Sequence, residues 1–147
     1  MQDKNKQLIA LSENPNSRFW KVSYEELTTP EKVFVSIWEL ESEVNNGGFH
    51  QYFFNSSGDN ARHCVSALES IGAMNFAALV KQANSVFENG EPPADSGIRQ
   101  PQIEKFSDDQ KKFLDELDQK FFKYPDNLTE LLFDFVTKNQ AEIQGFN

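Results

Sequence analysis

Three side chains in this sequence suit a metal: His50, His63 and Cys64. A zinc site needs three or four ligands converging on one ion. His63 and Cys64 are consecutive, and consecutive side chains on a helix point about 100° apart. They do not converge, so neither a metal nor a cofactor is expected. Nucleophilic catalysis would draw on Cys64 or on a serine held by an oriented base. Cys64 falls on an apolar helical stripe, where a free cysteine behaves as a small hydrophobe. The chain has no G-x-S-x-G turn and no glycine-rich phosphate loop. One arrangement needs the fold to decide it. The stretch "EVNNGGFHQYFFNSSGD", Glu43 to Asp59, sets His50, Gln51 and Tyr52 close in sequence to Glu41. An enzyme would need these four to line one concave pocket. The reading favoured by the sequence is a protein that is not an enzyme.

Charge narrows the partners. The 147 residues carry 23 acidic and 14 basic side chains, a formal charge of −9, with a pI near 4.7. Such a chain is repelled by nucleic acid and anionic lipid and attracted to basic proteins. Its lysines and arginines are interleaved with acids, as in "EKFSDDQKKFLDELDQK", rather than clustered as direct nucleic-acid binding requires. A single cysteine excludes an internal disulfide. The N-terminal apolar run, Leu8 to Leu11, is too short for a signal-peptide core or a membrane span. A cytoplasmic location with no membrane contact is expected.

The elements that must position these residues are helical. Period-3.6 patterns recur and period-2 alternation is scarce, which predicts an all-α single domain over 1–147, a compact bundle of about six helices. Residues 1–25 read as a peripheral segment with a short helix near 4–13. Residues 30–88 read as the core, 89–106 as a long Pro/Gly-rich loop, and 107–147 as a C-terminal helix pair. Fourteen phenylalanines can anchor a core despite an apolar fraction of 38%, since each buried aromatic removes on the order of 150–250 Å² from water.

Local signals place the boundaries. Thr29 and Pro30 open the first long helix, with Val33, Ile37, Leu40 and Val44 on its apolar face. Glu39 and Glu43 fall on the opposite, solvated face, and Glu41 closer to the apolar one. Gly47 should end that helix in a left-handed cap. Phe49 and Phe53, at i,i+4, key a short following segment into the core. Asp59 should cap a helix over 60–71, followed by one over 75–88. "SDDQ" from Ser107 is a capping box, and Asn127 with Glu130 opens the last helix.

The segment "NNGGFHQYFFNSSGD", with "VFVSIWELESEVNNGG" before it and "ARHCVSALESIGA" after, resembles the signature of a family of small acidic, helical bacterial proteins whose founding member is a DNA mimic. The resemblance spans roughly 30–88. It implies an all-α fold, and a homodimer like the described member. It also implies an acidic surface that occupies the DNA-binding face of a helix-turn-helix transcription factor and relieves repression. In this reading Asn46, Gly47, Gly48, Phe49, Gln51, Tyr52, Phe53 and Asn55 are architectural, and His50 and Gln51 make structural hydrogen bonds.

Mimicry needs dense negative charge. Each DNA strand presents one phosphate per 3.4 Å of axis, whereas carboxylates at i,i+4 on a helix stand about 6 Å apart. Several helices or two subunits must therefore combine. The carboxylates available to a basic partner are Glu39, Glu43, Glu88, Glu91, Asp95, Asp108, Asp109, Asp115 and Asp118, with Glu116 beside them. Lys111, Lys112 and Lys120 dilute the last group. The competing reading is an accessory or scaffold domain whose acidity serves solubility, its acids tied up in pairs such as Asp108–Lys112 and Glu116–Lys120.

Overall fold

The computed structural model describes residues 3–146; residues 1, 2 and 147 of the expected domain lie outside them. Among the described residues there are seven α-helices and no strand: α1 (Lys4–Glu13), α2 (Thr29–Phe54), α3 (Ala61–Ser70), α4 (Met74–Asn84), α5 (Ser96–Glu104), α6 (Asp108–Phe122) and α7 (Leu128–Lys138). The expected all-α bundle is what the chain forms.

The long helix α2 is the spine, with α3, α5, α6 and α7 all packed against it. It begins one residue earlier than expected. Thr28, not Thr29, is the cap: its hydroxyl accepts the Glu31 N–H at 3.3 Å, and Glu31 returns the bond to the Thr28 N–H at 2.9 Å. The two glycines do not end the helix but kink it. Gly47 sits at φ −154° and Gly48 at φ +75°, so the left-handed position is Gly48, one residue later than expected.

Phenylalanine rings thread the core. Phe49 meets Phe121 of α6 edge-on at 5.8 Å, and Phe121 meets Phe76 of α4 at 4.9 Å. Phe53 meets Phe87 at 4.9 Å, and Phe87 meets Phe106 at 5.2 Å. These edge-to-face contacts are the favoured aromatic geometry.

Two segments differ from expectation. Residues 89–106 are not a loop throughout, because α5 occupies Ser96–Glu104 despite Pro101 inside it. Asp95 caps it by accepting the Gly97 N–H at 2.8 Å, and Arg99 and Ile103 at i,i+4 are buried. Tertiary burial thus outweighs the hydrogen bond that proline removes. The first 25 residues are more than a periphery. Leu8, Leu11 and Phe19 belong to the core, and Phe19 stacks on Phe34 at 4.5 Å. Residues 107–147 hold the two expected helices, with α6 packed on α2 and α4, and α7 on α1 and α2.

Candidate functional site

The kink exposes a backbone donor. With Gly48 turned to positive φ, the Phe49 N–H leaves the helical ladder and is taken by Asp118 Oδ1 of α6 at 2.8 Å. A β-carbon on Gly48 would stand 2.4 Å from Asp118 Oδ2. The carboxylate and the missing side chain therefore require each other. Burial raises the Asp118 pKa above its usual value, and the Phe49 N–H only partly offsets this.

The other end of the segment is held by Arg99, which is fully buried. Its Nε donates to the Phe53 carbonyl at 2.5 Å. Nη1 donates to the carbonyls of Pro93 and Ala94 at 2.9 and 3.0 Å, and Nη2 to the Asn55 carbonyl and Asp59 Oδ1, each at 3.0 Å. A helix end leaves carbonyls unpaired, and the guanidinium fork here satisfies that of Phe53 and shares that of Asn55 with the Gly58 N–H. Gly58 lets it pass: a β-carbon there would lie 2.6 Å from Arg99 Nε and 2.4 Å from the Phe53 oxygen. Asp59 is thus an ion-pair partner and not the expected helix cap. Residues 56–60 form a 3-10 turn, and α3 begins after Asn60 with no side-chain cap.

Within this frame Gln51 donates to Glu43 Oε2 at 2.6 Å, and Asn55 Nδ2 to the same oxygen at 3.3 Å. His50 differs from the expectation of a structural hydrogen bond. It is exposed and lies parallel to Phe54, centroids 6.2 Å apart. The four side chains an enzyme would need do not line one pocket. Tyr52 is buried, Gln51 turns to Glu43, His50 faces solvent, and Glu41 accepts the Tyr124 hydroxyl at 2.6 Å. Cys64 is fully buried, and burial pushes its thiol up to about 12. His63 stacks on Tyr24 at 5.2 Å.

The nine carboxylates assigned to a partner divide into two sets. Glu39, Glu43 and Asp118 are half-buried and bound internally, so Glu39 and Glu43 are not on a freely solvated face as expected. Glu39 accepts Asn60 Nδ2 at 3.2 Å, and burial raises its pKa to about 7. Glu88, Glu91, Asp95, Asp108, Asp109 and Asp115 are exposed. Among the described residues none of these six forms an ion pair, and the anticipated Asp108–Lys112 and Glu116–Lys120 pairs are not made. Gln110 of α6 donates to the Val86 carbonyl at 3.2 Å. That bond sets the acidic start of α6 beside Glu88, across a shallow pocket that Lys105 also lines.

The family described as DMP19-like protein matches residues 25–139, from just before α2 to the end of α7. The chain belongs to the DMP19-like family. No curated protein and no solved structure matches it. The matched span contains Gly47, Gly48, Arg99 and Asp118. No helix among the described residues is long and apolar enough to cross a membrane.

Sequence reasoning missed four residues. Arg99 gave no signal, since a lone arginine in a proline-rich stretch reads as exposed. Tyr124 and Asp126 act through distant partners. Glu31 was legible through the spacing Thr28-x-x-Glu31. It is fully buried and takes Arg18 Nε and Nη2 at 2.9 and 2.8 Å.

Proposed function

We propose that this DMP19-like protein is a non-enzymatic binder of basic proteins. Its acidic surface would occupy the DNA-binding face of a transcription factor of the helix-turn-helix kind and relieve repression. The observation that carries this reading is the set of exposed, unpaired carboxylates on the first half of α6, next to Glu88. Acids kept only for solubility gain from neighbouring lysines at i,i+4, and here those pairs are not made. Asp108 and Asp115, and Asp109 and Glu116, are seven residues apart, so each pair shares a face at roughly 10 Å. One helix is too sparse to follow a phosphate strand, so the segment 88–95 and a second copy of the chain would supply the remaining charge.

Association of this type is steered by charge and weakens steeply with salt. The test is a pull-down from the native cell with the intact chain as bait, eluted by a salt gradient. The reading predicts recovery of a DNA-binding protein that is released as salt rises. Recovery of no DNA-binding protein, or of complexes that survive high salt unchanged, contradicts it.

The second reading, an accessory domain with no mimicry, is favoured by Glu39, Glu43 and Asp118. All three spend their charge inside the fold and shrink the acidic surface.

A further inference from the structure

A groove of about 380 Å³ lies between α4 and the C-terminal end of α6. Asn75, Ala78, Leu79 and Gln82 line one side. They stand at i, i+3, i+4 and i+7, which makes a single stripe about two turns long. Ala78 is exposed, and its small side chain opens the floor. Met74, one turn before Ala78, is 56% exposed and extends the apolar surface beyond the groove. Lys120 and Lys123 of the facing helix flank it. Both are exposed, and among the described residues neither forms an ion pair.

The walls are fixed. Asp126 accepts the N–H groups of Asn75 and Phe76 and the Asn75 side chain, each at 2.9 Å. The Tyr124 ring packs edge-on against Phe76 at 5.4 Å and Phe121 at 6.0 Å. The carboxylate at this end is therefore already committed to α4, and the lysines set the charge available to an occupant.

A floor of Ala78 and Leu79 with polar Asn75 and Gln82 at its two ends, beside two cations, suits a short amphipathic helix with acidic flanks. Broad anionic surfaces do not fit. A chain of charge −9 is repelled as a whole by nucleic acid and by anionic membranes. A short helix seated in the groove lies directly against Lys120 and Lys123. We propose that the α4–α6 groove docks an acidic amphipathic helix of a partner protein. This site is separate from the acidic start of α6 and stands whether or not that surface binds a basic protein.

The test uses the full isotope-labelled chain and an acetylated peptide of about 14 residues. The peptide carries leucines at i, i+3, i+4 and i+7 and glutamates elsewhere. The expected result is a set of amide shift changes centred on Ala78, Leu79, Gln82, Lys120 and Lys123. Lys120→Glu/Lys123→Glu should weaken binding about tenfold or more. Ala78→Trp, at an exposed position, should fill the groove and abolish the changes. Shift changes centred elsewhere, no binding, or affinity unaltered in both variants overturns the proposal. So does a concentration-dependent dimer of the chain that Lys120→Glu/Lys123→Glu disperses, since a second copy would then be the occupant.

Discussion

Asp118 accepts the backbone N–H of Phe49 at 2.8 Å, across 69 positions of sequence. A carboxylate from α6 thereby does for the second half of α2 what a local cap does for an ordinary helix start. The kink and the carboxylate form one unit. Gly48→Ala should destabilise the fold by about 2–4 kcal/mol, through positive φ and the collision with Asp118. Asp118→Ala should cost about 1–2 kcal/mol by leaving the N–H unpaired. The double variant should lose less than the sum, because removing Asp118 removes the collision. Urea unfolding of the four proteins measures the coupling; strict additivity would show that the contact is incidental.

Arg99 should be the least replaceable side chain in the hinge. Its guanidinium serves five oxygen acceptors, and truncation strands buried carbonyls. Arg99→Ala should cost about 3–5 kcal/mol. Arg99→Lys should recover little, since an ammonium cannot reproduce the planar fork. Near-native denaturation of the lysine variant would contradict this account.

Two glutamates pull the pH dependence in opposite directions. Glu39 has its pKa raised to about 7, mainly by burial. Between its ordinary value, 4.5, and about 7 the folded state therefore holds more protons than the unfolded one. Its contribution is full at low pH and is lost as pH rises through 7. Burial also opposes the charge on Glu31, but Arg18, Thr28 and Gln144 more than offset it and lower its pKa. The Glu31 contribution is present above 4.5 and lost as pH falls. These two groups together place the stability maximum near pH 4.5, where the two windows meet. Glu39→Gln should raise stability at pH 8 by about 2 kcal/mol and flatten the decline between pH 4.5 and about 7. Thermal melts across pH give the answer, and an unchanged slope in the variant would contradict the assignment.

Cys64 should be chemically silent in the native protein. Its thiol is fully buried with a pKa near 12, and thiolate is the reactive form. An aromatic disulfide reagent should label it only as fast as the fold opens, and at once in denaturant. Rapid labelling of the native chain would place Cys64 in an accessible site.

These expectations show where a sequence is readable. The all-α class followed from periodicity. The capping box of α6 and the cap of α7 were legible because each is complete within four residues, at Ser107 and Gln110 and at Asn127 and Glu130. The kink was legible as a break but not as a bend. A glycine pair signals an interruption, and only Asp118, far along the chain, lets α2 resume behind it. Helix α5 was hidden because Pro101 argues locally against it, while Arg99 and Ile103 hold it from the core side. Surface charge was the least legible. Glu39 and Glu43 lie opposite the apolar stripe of α2, yet Asn60, Gln51 and Asn55 close over them. Helical spacing shows which face a carboxylate is on, not what else packs there.

The central claim is that exposed carboxylates stand in for phosphates, and competition tests it most directly. The DNA-binding protein recovered from the native cell is bound to its own DNA, and the acidic protein is titrated in. The account predicts stoichiometric displacement of the DNA, suppressed by salt. It also predicts loss of displacement in Asp108→Asn/Asp109→Asn/Asp115→Asn, a variant that stays folded because these side chains are exposed. A ternary complex with DNA still bound, or equal displacement by the neutralised variant, would contradict it.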